Sequence, residues 1–516
     1  MHLSGPITER EPTNWELLGS TRPWTTFRVW DTLRRAAADP RVSSLILLPE
    51  APDAGWATLA EVHRSVAQFA KTGKPVVAYL QTPSARDYYL ATAATEIVAP
   101  PGDIVNLKGL RVELLYARGT LDKLGIQPEF ESIGRYKDGA DILTRRSMSD
   151  ETREVTELIL DRRFDSLISA VATARKKTHQ QVRELLDQGP FPARLALESG
   201  LLDQTNFREE MEASLARRLS REKIAKLDAA LYQRVADTGW GLKRARKIAL
   251  LVAEGDISRS PLPGLTDAAL LSPDSFGQVV KQVESSDADA VVVRVNSPGG
   301  DAIASDELAR SLRRLASRKP VIVSMGDLAA SGGYSLAAAA GTSIVAYPET
   351  LTGSIGVFYG KLVLAGLYEK LGLEKQILSR GQFAAIDSEA RPLSAAEREK
   401  LRSLIEEMYR DFVTQVARSR KRTYEEIHNV AQGRVWLGDQ AKSAGLVDAL
   451  GGFDAALALA REQAGIADHE QLRIEVFPQG PGWLESVRTQ INALASFQVN
   501  ARAGVRKRLP YFSPDL

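Results

Sequence analysis

Lys319-Pro-Val-Ile-Val323 reads against Lys74-Pro-Val-Val-Ala78, an offset of 245 residues. Ile344-Val-Ala-Tyr-Pro348 reads against Ile97-Val-Ala-Pro-Pro101, and Tyr368-Glu-Lys-Leu-Gly-Leu373 against Leu121-Asp-Lys-Leu-Gly-Ile126, both at an offset of 247. The offset barely drifts over dozens of residues. Such a period is far too long for a solenoid, so the chain is a tandem duplication. Within each copy, short Val/Ile/Leu runs alternate with helix-period segments. Leu45-Ile-Leu-Leu48 and Val291-Val-Val-Arg-Val295 are such runs; Leu59 to Ala70 and Ser305 to Ala316 are the helical stretches after them. This alternation predicts an α/β fold with largely buried strands. Helical regions over Asp150 to Leu186 and Ala395 to Ala431 end the two copies.

Boundaries follow from the repeat: an N-terminal copy over 1–208, a charged helical linker over 209–246, a C-terminal copy over 247–468 and a tail over 469–516. The 516-residue length alone suggests about three domains; the repeat replaces that with two. The second copy opens with the β-rich run Lys247 to Ile257, and the first begins at Met1-His-Leu-Ser-Gly-Pro-Ile7 as if in mid-strand. The 67 Lys and Arg nearly balance the 65 Asp and Glu. A chain without a basic excess is a poor counterion-displacing partner for nucleic acid. No apolar run approaches the roughly 18 residues of a membrane-spanning helix.

Cysteine is absent, which excludes disulfides, thiolate metal sites and a cysteine nucleophile. The five histidines, His2, His63, His179, His428 and His469, are scattered, with no H-E-x-x-H. A hydrolase built on this chain needs another base. No Walker-type phosphate loop occurs, and neither metal nor cofactor is expected.

Two segments of the second copy carry candidate chemistry. Arg294-Val-Asn-Ser-Pro-Gly-Gly-Asp301 ends an apolar run in two glycines, Gly299 and Gly300, whose N–H groups can face a cleft as an oxyanion hole requires. Taken alone, Pro-Gly-Gly after a strand is more often just a turn. Ser324-Met-Gly-Asp-Leu-Ala-Ala-Ser-Gly-Gly-Tyr334 brings Ser331 to a strand-to-helix turn, where nucleophiles are presented. A helix N-cap is the alternative there. At the 245 offset Ser331 meets Arg86, Gly332 meets Asp87 and Gly333 meets Tyr88, so the first copy lacks the serine and its glycines. The reverse holds further on. Gly134-Arg-Tyr-Lys137 in the first copy faces Gly381-Gln-Phe-Ala384 in the second. One copy has a serine without the lysine, the other a lysine without the serine. Complementary loss is the pattern of one composite site, in which a buried Lys137 serves as base for Ser331.

These segments, with Leu351-Thr-Gly-Ser-Ile-Gly-Val-Phe358 and Gly433-Arg-Val-Trp-Leu-Gly-Asp-Gln-Ala-Lys-Ser-Ala-Gly-Leu-Val-Asp448, resemble the long duplicated form of the signal peptide peptidase A (protease IV) family. The resemblance implies two tandem repeats like Clp proteases and crotonases, with helical extensions. It implies a serine endopeptidase with Ser331 as nucleophile and Lys137 as general base. Gly299 or Gly300, with Gly332, would supply oxyanion N–H groups, and Ser354 would orient the lysine. It further implies a ring-like homo-oligomer (a tetramer) on the outer face of the cytoplasmic membrane, which degrades remnant signal peptides and other hydrophobic peptides. An N-terminal anchor, also implied, is not in this sequence. A crotonase-like acyl-CoA enzyme and a non-catalytic membrane scaffold are the competing readings.

Overall fold

The computed structural model describes residues 1–11, 23–235, 245–259, 270–341 and 343–478. The duplication is visible as two mainly parallel sheets. The first runs, edge to edge, Trp24–Thr25, His2–Thr8, Leu45–Asp53, Val76–Tyr79, Glu96–Ala99 and Gln204–Thr205. The second repeats that sequence of elements with Arg246–Glu254, Ala290–Ser297, Val321–Ala330, Ile344–Ala346 and Ala449–Leu450. Val291, Val292 and Val293 are completely buried, as expected of strands covered on both faces by helices. Each such side chain contributes about 1.5–3 kcal/mol of transfer free energy.

Equivalent contacts within each copy match the two residue by residue. Tyr88 Oη donates to Leu201 O, and Tyr334 Oη donates to Leu446 O. Arg175 pairs with Asp203, and Arg420 with Asp448. Ser149 and Ser394 cap helices Asp150–Arg175 and Ala395–Arg420, each of 26 residues. Each expected terminal helical region is in fact two helices. Lys176 and Lys421 take left-handed backbone angles, and Thr178 and Thr423 then cap the short helices His179–Gln188 and Tyr424–Val430. A left-handed residue ends an α-helix whatever the apolar spacing beyond it.

The linker region is only partly helical. Arg208–Arg218 forms a helix, and Ala229–Tyr232 a single turn; 236–244 lie outside the described residues. The first of these covers the first sheet, Met211 and Leu215 packing with Val77, Tyr79 and Val98. Leu472–Phe477, at the start of the expected tail, is an added parallel strand beside Arg246–Glu254; 479–516 lie outside the described residues.

The two copies are joined by backbone. Val357–Val363 of the second pairs antiparallel with Gln127–Ile133 of the first, from Val357 opposite Ile133 to Val363 opposite Gln127. Asp327 of the second copy accepts from Gly55 N, Thr58 N and Thr58 Oγ1, capping the first copy's helix Trp56–Ala70. A cap of this kind stabilises by about 1 kcal/mol. The strand pairing also carries the segment that follows Ile133 across to the second copy.

Candidate active site

Strand Val321–Ala330 ends at Ser331, and helix Gly332–Ala339 begins immediately after it. Ser331 has φ 54° and ψ −121°, a conformation rare for a residue with a Cβ. Its N–H is fixed on Gly353 O at 2.8 Å. Although it occupies the N-cap position, its hydroxyl makes no capping hydrogen bond. The Oγ faces Lys137 instead, 3.3 Å from Nζ.

Lys137 reaches this point because Gly134 and Gly433 let two loops cross backbone against backbone. Tyr136 N donates to Gln432 O at 2.8 Å. The Lys137 amine also lies 3.0 Å from both Ser354 O and Ser354 Oγ. Those three oxygens account for all three donors of an ammonium. When the amine is neutral, the two Ser354 oxygens can take its N–H groups and leave the lone pair for the Ser331 hydroxyl. Burial lowers the Lys137 pKa to about 8, and the nearby Asp138 offsets this only slightly. The Phe358 ring, 6.0 Å from Nζ, forms an apolar wall.

The sequence-predicted oxyanion residues are brought to the same place, with one distinction. Gly299 has φ 95° and Gly300 φ 148°. Gly299 N–H is already donated to Ser297 Oγ at 3.1 Å. Gly300 and Gly332 have N–H groups with no acceptor among the described residues. A Cβ at Gly299 would lie 2.6 Å from Gly332 N, so the two loops touch. Of the glycines, Gly300 and Gly332 are therefore the free donors. Gly332 also opens a helix, whose N-terminus favours negative charge.

The tyrosine contacts correct the register between the copies. Tyr334 corresponds to Tyr88, not Tyr89, so Ser331 corresponds to Ala85, Gly332 to Arg86 and Gly333 to Asp87. The first copy's turn is closed by side chains. Arg86 Nη1 donates to Ala54 O, and Asp87 accepts from Ser84 N and Ala51 N. The loss of serine and glycines stands; its register moves by one. Phe358 and Gly433 meet Lys137 only across the copies, a contact that no local pattern in either copy specifies.

A serine from one copy and a lysine from the other thus meet at the junction of the two copies. The Peptidase family S49 profile matches residues 68–221 and 313–467, one segment in each copy. Serine protease SPPA, chloroplastic, of Arabidopsis thaliana is 38% identical over 438 residues, covering 84% of this chain and 64% of that protein. Protease 4 of Salmonella typhi is 31% identical over 520 residues, covering 94% of this chain and 81% of that protein. Among solved structures, a ClpP1 mutant from Listeria monocytogenes matches 40% of this chain and 94% of its own, with TM-score 0.27 and 16% identity. The chain belongs to peptidase family S49 and is a serine peptidase with two S49 segments.

Proposed function

We propose that this chain is an endopeptidase with a Ser331/Lys137 dyad. The observation that carries the reading is the Lys137 amine, half-buried and 3.3 Å from Ser331 Oγ while Ser354 holds its other valences. Neutral Lys137 takes the hydroxyl proton as Ser331 Oγ bonds to a peptide carbonyl carbon. The oxyanion is held by Gly300 N–H and Gly332 N–H. The C–N bond then breaks, and the amine leaves with the proton from Lys137. Water adds to the acyl carbonyl carbon and gives a proton to Lys137; the C–Oγ bond then breaks, and Lys137 returns the proton to Ser331 Oγ as the acid product leaves. Family S49 membership favours this over an acyl-CoA reaction or an inert scaffold.

A fluorophosphonate is expected to add one phosphonyl mass to the intact chain, at Ser331. Because the reacting form has a neutral lysine, labelling should quicken with pH through about 8 and level off above it. Intact-mass kinetics between pH 6 and 10 test this; no adduct, or a flat profile, overturns the dyad.

The substrates in this reading are cleaved signal peptides and other short hydrophobic peptides at the outer face of the cytoplasmic membrane. Among the described residues no helix is long and apolar enough to cross a membrane.

The working form is a ring of copies. The pairing of Val357–Val363 with Gln127–Ile133 is head-to-tail, and its counterparts at the 247 offset, 110–116 and 374–380, form no strand pairing among the described residues. Leu115 is 87% exposed there, and Leu378 95%. A Cβ at Gly125 would meet Gly366 C at 2.6 Å, whereas the counterparts Gly372 and Gly119 have open space. Gly119 lines a cleft of about 530 Å³. A head-to-tail contact used once and left open at both ends propagates from copy to copy. By the internal register, Gly360 opposite Phe130 becomes Glu113 opposite Ile377 of the next copy. Opposed antiparallel Cα atoms, about 4.5–5.5 Å apart, suit a disulfide. In this cysteine-free chain, Glu113→Cys with Ile377→Cys should give disulfide-linked oligomers on oxidation, and either change alone none. Monomers only from the double variant would sink the ring.

A further inference from the structure

Arg294 is the largest fully buried side chain in the structure, and neither the composite dyad nor the oxyanion donors use it. It lies on strand Ala290–Ser297, just before the loop that ends in Gly299 and Gly300. Its first-copy counterpart is Leu48, so the guanidinium belongs only to the copy that holds Ser331. Nη1 donates to Ser324 Oγ at 2.9 Å and Met325 O at 3.1 Å, on the strand that leads to Ser331. Nη2 donates to Glu9 Oε1 at 2.7 Å, and Glu9 comes from the first copy. The guanidinium also lies 4.7 Å from the Phe453 ring centroid.

The contact continues toward the oxyanion loop. Glu9 N and Arg10 N both donate to the Glu254 carboxylate, at 3.0 and 2.8 Å. Asn296 Nδ2 donates to the same carboxylate at 3.1 Å, and Asn296 Oδ1 accepts from Leu328 N at 3.1 Å. The next residue, Ser297, donates from Oγ to Gly255 O and accepts Gly299 N–H. Hydrogen bonds thus run from the Glu9 backbone of the first copy to Asn296, and the adjoining Ser297 holds the glycine whose neighbour bears the free N–H.

We infer that Glu9 and Arg294 are positioning residues, through which the first copy fixes the Asn296–Gly300 loop against Ser331. This rests on the dyad reading above and extends it: the first copy would then supply the setting of the oxyanion donors as well as the base. Buried charge pairs are poor devices for stability alone, since desolvation offsets the attraction, and are better suited to fixing one arrangement. The surroundings are heavily acidic. Glu61, Glu254 and Asp327 also face this junction, and burial pushes Glu9 up to about 7 despite Arg294. A neutral acceptor at position 9 is therefore tolerable, provided its oxygen remains.

The test measures steady-state hydrolysis of a hydrophobic peptide and its inhibition by the matching peptide aldehyde, whose hemiacetal oxyanion uses the same donors. Glu9→Ala should lower kcat tenfold or more, hold KM within twofold and weaken the aldehyde by the same factor as kcat. The pH midpoint near 8 set by Lys137 should stay in place. Glu9→Gln keeps an oxygen for Nη2 and should lie within threefold of wild type. If Glu9→Ala fails to fold, Asn296→Asp, which sets two carboxylates against each other at Glu254, should show the same kcat and aldehyde losses. Unchanged kcat, a loss confined to KM, or equal damage from Gln and Ala at position 9 overturns the inference. Loss of the dyad reading shows differently: wild-type protein then takes no fluorophosphonate at all.

Discussion

Ser331→Ala is expected to reduce peptide turnover by about 10⁴-fold or more, and Lys137→Ala by a similar factor. Members of one nucleophilic unit are not additive, so the double variant should lie within a few-fold of either single one. Turnover retained in either single variant would falsify the dyad. Lys137→Met carries a second, opposite expectation. The half-buried amine has its pKa lowered from 10.5 to about 8. Between those values the unfolded chain binds more protons than the folded one, so this group's contribution to stability rises with pH there. Below pH 8 the fold therefore carries the whole penalty, about 3 kcal/mol before the amine's hydrogen bonds are counted. Thermal melts at pH 6–7 should show Lys137→Met more stable than wild type while inactive, the signature of a strained functional group.

Much of this site could be read before its geometry, for a specific reason. A duplicated chain is its own control, and Ser331 against the first copy's turn and Lys137 against Ala384 are differences that folding alone does not demand. What escaped the reading is long-range or backbone-borne. Gln127–Ile133, with the sequence Gln-Pro-Glu-Phe-Glu-Ser-Ile, has no apolar run, and its partner strand is more than 220 residues away. Leu472–Phe477 pairs with Arg246–Glu254 at a similar remove. No local propensity specifies such pairings. The breaks at Lys176 and Lys421 lie in left-handed backbone at residues that are ordinary helix formers. The one-residue slip between Ser331 and Ala85 arose because the offset grows from 245 to 247 between the flanking strands, and at this turn it is already 246. Gly299 read as a donor because its positive φ was foreseeable, whereas its own bond to Ser297 Oγ was not.

The second large effect is expected at a position that touches neither substrate nor proton. Gly433 has φ 72°, and a Cβ there would lie 2.6 Å from Lys137 N and Cβ and 2.7 Å from its Cα. These are backbone and root atoms, not the end of a flexible chain, so they cannot swing aside. The crossing is tight elsewhere too. A Cβ at Gly134 would meet Gln432 C at 2.6 Å, and one at Gly356 would meet Gly433 Cα at 2.9 Å. Gly433→Ala must therefore push the Lys137 segment away, and the amine with it. A displacement of about 1 Å at a base costs on the order of 10²-fold in rate. The left-handed strain on alanine adds about 1–2 kcal/mol of instability that is unrelated to the site. Gly73→Ala separates the two effects. Gly73 has φ 83° with nothing within 4 Å, so alanine there meets the same backbone strain and no neighbour. Gly73→Ala should lose stability and keep kcat; Gly433→Ala should lose both, with fluorophosphonate labelling slowed in step. Equal kcat for the two variants would show that the lysine is not held by this crossing of loops.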